Sequence, residues 1–500
     1  VRHGRLAASI TLVLLLGLIG SLAGPGWSPQ PLGHTLVPET AGTAIGSDAL
    51  TPPVGTYEVA RAVVGVRLAP DVTVQATVAS PVGAPGPRPA MLFMHGAGTA
   101  THENFRDITT ALASAGIVTM VPDKRADTYT TRERDYPEMA QDYLQSFAVL
   151  RGWPGVDPDR VGIYGESEGA MSAPIAAAGN DDVAFVVLVS APVLPLREQG
   201  ALAADSYLRE VGVPDRMLRA IPRLVGGSLP GGGFEYFDFD VSRYQQHMTQ
   251  PVLMVYGTQD YSMPIVQGAE LLISDLAEAG NEQYTVRYYD GANHGIRIGK
   301  DLAPGFTQDL ARWTLGLPET ADAPPRIAGA EPVQAFRADP VDRPRWYASG
   351  DMIVYTFLVG LGLLALAAVA ALAGQAPRLA RRRPSAMAPP LGRYTAALSL
   401  ATVATWVVFL AYLVSIASLA LNYRTNALIV QGGWIVVQIV GILAAALLVL
   451  TVDGAWRRRR APRGRVTMGR AGWASLTCAV AGSVVLLVNA AYWGVFPAVL

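Results

Sequence analysis

The sequence predicts an α/β fold, a mostly parallel sheet with helices on both faces and a cap insertion, followed by an all-α bundle of transmembrane helices. Three observations predict it. Between residues 57 and 318, short apolar runs alternate with helix-like stretches of about a dozen residues, as in a sheet with helical crossovers. From residue 352 to residue 500, apolar runs are separated by short arginine clusters. Charged residues make up only 16 % of the 500 residues and hydrophobic ones 51 %, against about a quarter charged in an ordinary soluble domain.

In chain order, the apolar run 6–23 follows Arg2 and Arg5 and ends at Gly24-Pro25. Segment 1–24 reads either as a secretory signal with a Ser21-Leu22-Ala23 cleavage site or as an uncleaved transmembrane anchor. A Pro/Gly-rich linker, 25–56, leads into the α/β domain, 57–318. There, strands are expected at 72–79, 90–94, 118–122, 161–164, 185–190, 252–256 and 285–289, with helices at 104–115, 137–151 and 170–178. Residues 195–250 separate two strands by a stretch too long to be featureless. They read as a cap, helical at 201–211 and 215–224, whose Phe234, Tyr236, Phe237 and Phe239 either line an apolar pocket or pack the cap itself. A Pro-rich linker, 319–351, follows.

Four later runs, 353–373, 396–421, 428–452 and 473–493, have the length of about 20 residues that crosses a bilayer. Arg378, Arg381, Arg382, Arg383 and Arg393 fill the first intervening loop, and Arg457, Arg458, Arg459, Arg460, Arg463, Arg465 and Arg470 the third; the second holds only Arg424. Basic loops stay in the cytoplasm. A multi-pass cell-membrane protein with its α/β domain on the extracytoplasmic side is therefore expected, with the lipid bilayer as a partner; Arg337, Arg343 and Arg345 run against the trend. Gln431, Gln438 and Asn489 read as hydrogen-bond partners between helices. The absence of Asp, Glu, Lys and Arg within the spans disfavours an ion-coupled transporter. A net charge of -1 gives no reason to expect nucleic-acid binding. The single cysteine, Cys478, excludes an intrachain disulfide framework and disfavours a cysteine-ligated metal site; no metal or cofactor is called for.

Gly165-Glu166-Ser167-Glu168-Gly169 matches G-x-S-x-G between an apolar strand and a small-residue helix. Such a turn lifts a serine hydroxyl above the sheet edge at a helix N-terminus, where free N–H groups favour developing negative charge. A serine hydroxyl needs a base, and the base an orienting acid. Of six histidines, His294 in Gly291-Ala292-Asn293-His294-Gly295 follows the last strand and is the base candidate. Asp260, on the loop after strand 252–256, is the acid; Asp290, only four residues before His294, is the runner-up. His95 reads as structural, and Glu166 and Glu168 as solvated residues of the turn.

Together with His95-Gly96-Ala97-Gly98, with 116–123 (Gly-Ile-Val-Thr-Met-Val-Pro-Asp) and with 156–161 (Val-Asp-Pro-Asp-Arg-Val), these motifs resemble the α/β-hydrolase superfamily. The likeness is to its dienelactone-hydrolase-like and prolyl-oligopeptidase-like esterases, and it covers residues 57–318. It implies an oxyanion hole formed by the backbone N–H groups of Ala97 and Glu168, and a small-molecule or lipid-like ester substrate. The chain departs from dienelactone hydrolases in carrying serine where they carry cysteine. It also has too few residues before the domain for the propeller of prolyl oligopeptidases. A serine ester hydrolase is the expected function. An acyltransferase or peptidase using the same three residues, and a non-enzymatic membrane sensor, are the alternatives.

Overall fold

The computed structural model describes residues 2–23, 28–47, 49–130, 132–213, 235–342, 345–381, 387, 390–421, 424–461, 466–467 and 469–497. The chain forms two compact units. One comprises Pro29–Ala203 and Phe234–Pro340; the other comprises Val1–Ser28, which holds helix α1 (Arg2–Leu22), with Ala204–Gly233 and Val341–Leu500.

In the first unit, nine strands among the described residues make one sheet. They are β1 (Val59–Ala69), β2 (Val72–Pro81), β3 (Arg88–Met94), β4 (Val118–Pro122), β5 (Val156–Glu166), β6 (Val186–Val189), β7 (Val252–Gly257), β8 (Tyr284–Tyr289) and β9 (Ile327–Gly329). Their spatial order is β1-β2-β4-β3-β5-β6-β7-β8-β9. Only the β1–β2 and β2–β4 pairings are antiparallel; the rest are parallel. The crossovers carry α2 (Arg106–Ala115), α3 (Tyr136–Arg151), α4 (Gly169–Ala177), α5 (Leu196–Glu210), α6 (Gln267–Glu278) and α7 (Phe306–Leu315). This is the mostly parallel, helix-covered sheet that the alternation of runs predicts.

The central strands are apolar throughout because both faces are buried. Along β3, Ala90, Leu92 and Met94 join a core with Tyr143 and Phe147 of α3, Ala173 of α4 and Leu272 of α6. The intervening Met91 and Phe93 join a second core with Leu112 of α2 and Trp313 of α7. β7 divides its residues the same way. β1 is the exception: it lies at the sheet edge, mostly exposed, and has no apolar periodicity to read.

The unit also extends farther than 57–318. Thr40 bridges to Ala328 of β9, and Leu32 N–H donates to the Ala335 carbonyl at 3.0 Å. Arg287, 1 % exposed within β8, donates to the carbonyls of Thr43, Ala44, Val286, Pro325 and Arg326. Much of the two expected linkers is thus folded onto the last strands, because their carbonyls satisfy a buried guanidinium.

In the second unit, each apolar run is helical: α1, α8 (Gly350–Arg381), α9 (Leu391–Leu421), α10 (Gly433–Arg460, entered through a π-turn at Leu428–Gly432) and α11 (Arg470–Tyr492). Among the described residues, five helices are long and apolar enough to cross a membrane. Small residues let them approach: a Cβ on Gly482 would lie 2.9 Å from the Gly360 carbonyl oxygen, and one on Gly20 of α1 would strike the Ala491 carbonyl. Asn489 donates to the Ile353 carbonyl at 2.7 Å, as expected of an interhelical partner. Gln431 is instead exposed. Arg5 of α1 pairs with Asp453 of α10 at 2.7 Å, and Arg457 shares the same carboxylate.

The insertion divides between the units. Tyr207, on the second half of α5, donates to the Leu419 carbonyl at 2.7 Å, and Val211 and Val213 are buried in the cluster that holds Phe409, Tyr412 and Ile416. The expected 195–250 cap is therefore not carried by the α/β unit alone, because its apolar residues find partners among the apolar helices. The expected helix 215–224 and Phe234 lie outside the described residues. Tyr236 and Phe239 pack on Tyr136 of α3, with ring centroids 6.3 and 5.1 Å away, so they join the insertion to α3, and the three rings line one open pocket.

Candidate active site

Ser167 stands in the turn between β5 and α4 with φ of 54°. A non-glycine residue with positive φ is strained, and such strain collects at functional turns. The glycines on either side make the turn possible. A Cβ on Gly165 would lie 2.8 Å from the Gly169 carbonyl oxygen, and one on Gly169 would lie 2.7 Å from the Met94 carbonyl carbon. Strand β3 thus runs directly beneath the start of α4. The backbone is anchored by Ser167 N–H, which donates to the Val189 carbonyl at 2.9 Å.

The three polar residues that the sequence singles out meet here. His294 Nε2 lies 2.9 Å from Ser167 Oγ, and His294 Nδ1 lies 2.9 Å from Asp260 Oδ2. Asp260 is 4 % exposed, and its Oδ1 accepts the Ser262 N–H at 2.9 Å. The carboxylate therefore has both oxygens engaged and fixes the imidazole with one nitrogen facing the serine. Asp290 is exposed. The loops of Asp260 and His294 are locked together at Gly257, the last residue of β7. A Cβ there would lie 2.6 Å from the Asn293 carbonyl oxygen and closer still to that of Ala292. Sequence reasoning missed Gly257; a glycine closing an apolar strand was the available signal.

Burial disfavours a charged His294, but the charge and hydrogen bond of Asp260, with the nearby charge of Glu166, outweigh it and raise the pKa above the ordinary histidine value. Burial pushes up the Glu166 pKa, although Tyr164 donates to it at 3.0 Å. His95 is 1 % exposed; its Nε2 lies 2.6 Å from the Pro122 carbonyl, and burial lowers its pKa to about 4. It is a neutral structural residue.

The flanking acids are not solvated as expected. Glu166 is half-buried. Glu168 is 4 % exposed and bonded to Lys124 Nζ at 2.7 Å, Tyr129 OH at 2.8 Å, Tyr136 OH at 3.2 Å and Arg134. Two cations and two phenols, all distant in sequence from the turn, make that burial tolerable.

The loop 95–98 runs beside the serine: a Cβ on Gly96 would lie 3.3 Å from Ser167 Cβ and 3.9 Å from its Oγ. The N–H groups of Ala97 and Glu168 donate to no group among the described residues. No cluster of three His, Cys, Asp or Glu side chains suited to a metal ion occurs among the described residues. A hydroxyl, an oriented imidazole and unspent N–H donors on adjoining loops are the parts needed for nucleophilic attack on a carbonyl.

No known family matches the chain by sequence, and no curated protein does. Among solved structures, the chain is similar to a dienelactone hydrolase from Anabaena variabilis, with 18 % identity, coverage of 52 % of this chain and 97 % of that one, and a TM-score of 0.35. An alpha/beta hydrolase from Penicillium, GrgF, has 16 % identity, coverage of 52 % and 100 %, and a TM-score of 0.37. Dipeptidyl peptidase 4 from Porphyromonas gingivalis has 16 % identity and a TM-score of 0.37; the match covers 52 % of this chain but only 36 % of the peptidase. The structural neighbours are thus α/β hydrolases of the dienelactone-hydrolase and dipeptidyl-peptidase kinds.

Proposed function

We propose that the chain is a membrane-anchored serine hydrolase that cleaves carboxylic esters through an acyl-enzyme. The observation that carries this reading is the unbroken series Asp260–His294–Ser167, both links 2.9 Å long. Ser167 Oγ attacks the ester carbonyl as His294 Nε2 takes its proton. The tetrahedral oxyanion receives hydrogen bonds from the Ala97 and Glu168 N–H groups. As it collapses, the C–O bond breaks and His294 returns the proton to the departing alcohol. Water, deprotonated by His294, then attacks the acyl carbon and frees the acid and Ser167.

The α/β unit is assigned to the extracytoplasmic side. Supporting this is the Arg5–Asp453–Arg457 cluster, which puts the N-terminal arginine of α1 beside the basic run that ends α10. The segments joined to the α/β unit follow α1 at the end away from Arg2 and Arg5 and precede α8 at the end away from Arg378 and Arg381, with Arg337, Arg343 and Arg345 the exceptions to the pattern.

A charged, membrane-impermeant fluorophosphonate applied to intact cells tests both parts. It should label the wild type and not Ser167→Ala. Labelling only after lysis would overturn the orientation; no labelling even then would overturn the serine chemistry.

A further inference from the structure

The loop that carries Ala97 is held in place by side chains that the reaction itself does not use. The Lys124 side chain is 3 % exposed, and its Nζ donates to the Gly96 carbonyl at 2.8 Å and to Glu168 Oε2 at 2.7 Å. On the other side of Ala97, Gly98 N–H donates to Tyr129 OH at 2.9 Å, and that hydroxyl donates to the same Glu168 Oε2 at 2.8 Å. The peptides before and after Ala97 are therefore tied, through one lysine and one phenol, to a single carboxylate oxygen. That carboxylate belongs to the residue whose own N–H is the second donor. Farther along, His95 Nε2 binds the Pro122 carbonyl, Lys124 N–H donates to the Ala100 carbonyl, and His102 binds Asp123. The whole 95–102 loop is thus fastened to the end of β4.

We propose that Glu168, Lys124 and Tyr129 form a buried clamp that sets the spacing of the two oxyanion donors, Ala97 N–H and Glu168 N–H. These three are positioning residues, and the inference rests on the serine-hydrolase reading. Two donors serve a tetrahedral oxygen only if their separation is fixed before charge develops. In this site the distance is set by a closed circuit: Ala97, Gly98, Tyr129, Glu168, Lys124, Gly96 and back to Ala97. The shared Oε2 makes the circuit cooperative, because loosening either arm leaves the other pulling on one side of the loop. Arg134 takes the remaining oxygen, Oε1, with Tyr136, and its guanidinium lies over the Tyr129 ring at 4.8 Å. Burial raises the Tyr129 pKa to about 12, so the phenol keeps its proton and remains a donor to Glu168.

The clamp has a kinetic signature. The ground-state carbonyl needs the donors little and the oxyanion needs them greatly, so a loosened hole lowers kcat and leaves KM almost unchanged. The test uses the full chain in detergent, with p-nitrophenyl esters as substrate and a boronic acid as the tetrahedral mimic. Tyr129→Phe removes one hydroxyl and keeps the ring. It should lower kcat about 10- to 100-fold with KM within about twofold. Boronate affinity should fall in proportion to kcat, and the initial rate of fluorophosphonate labelling should fall with it. Glu168→Gln keeps one acceptor and should lie between the wild type and Glu168→Ala, a graded series that a purely structural defect would not produce. Unchanged kcat and boronate affinity in folded Tyr129→Phe would overturn the clamp while leaving the serine mechanism intact. A loss shared equally by KM and the thermal midpoint, with boronate affinity preserved, would overturn it too. A wild type that neither labels nor turns over would sink the hydrolase reading and the clamp with it.

Discussion

Gly257→Ala tests the geometry most directly, because one methyl group is placed where the strand leading to Asp260 meets the loop of His294. The new Cβ would lie 2.6 Å from the Ala292 carbonyl carbon and the Asn293 carbonyl oxygen, and closer to the Ala292 oxygen. A normal contact needs about 3.2 Å or more, so the 292–294 backbone must retreat by about 1 Å. Strand β7 cannot yield in its place, since it is hydrogen-bonded in register with β6 and β8 and buried along its length. A 1 Å shift stretches one or both 2.9 Å bonds of His294 to roughly 3.9 Å, beyond hydrogen-bonding range. The expected cost is about 100-fold in kcat, about 2.7 kcal/mol of barrier, with about 1–3 kcal/mol of stability lost to overpacking. Ester hydrolysis, fluorophosphonate labelling rate and thermal unfolding measure the three effects. Gly268→Ala in α6 is the control: its nearest neighbours would be 3.6 Å away, so it should be silent. Gly257→Ala with wild-type labelling and stability would refute the claim that this contact holds acid and base together.

Three further outcomes follow from the structure. Under the proposed mechanism His294 must be neutral to take the serine proton, and its pKa is raised, so kcat/KM should fall as pH drops through a pKa higher than the free histidine value of about 6.5. The same shift stabilises the fold fully below about 6.5 and ceases to do so as pH rises through the folded pKa, so catalysis and this part of stability run in opposite directions. Glu166→Gln should move the kinetic limb down; a limb that stays in place would remove Glu166 from the electrostatics of the base. Arg287→Met orphans five carbonyl contacts and should cost about 3 kcal/mol by denaturant titration, allowing about 1–3 kcal/mol for each group left unsatisfied and some relaxation; a loss below about 1 kcal/mol would show that water replaces the guanidinium. Helix α1 should remain on the protein, since Leu16 is 3 % exposed and Arg5 holds Asp453; an intact mass lacking residues 2–22 would show that it is removed.

The parallel strands were legible because strands buried on both faces must be apolar at every position, and the G-x-S-x-G turn because it stands where such a strand meets a helix. The meeting of Ser167, Asp260 and His294 was readable for the same reason: each follows a recognisable strand. β1 was not readable, since an exposed edge strand has no burial pattern, nor was β9, three residues long inside a Pro-rich stretch. Glu168 was misread because its partners, Lys124, Tyr129, Arg134 and Tyr136, come from the loop and helix after a different strand. Nothing local to Gly165–Gly169 announces them. The fate of the insertion was equally hidden: the apolar character of Val211 and Val213 is plain, but what buries it depends on helices two hundred residues away.

The carbonyls gathered by Arg287 bear on how the α/β unit could be handled alone. A fragment cut at 57 and 318 would strip away Thr43, Ala44, Pro325 and Arg326, leaving a guanidinium in the protein interior with four of its five acceptors gone. A water-soluble version must therefore run from about residue 29 to about residue 340. It must also bridge the excursion at 204–233 with a short hydrophilic connector, because the buried Val211 and Val213 would otherwise meet water and invite aggregation.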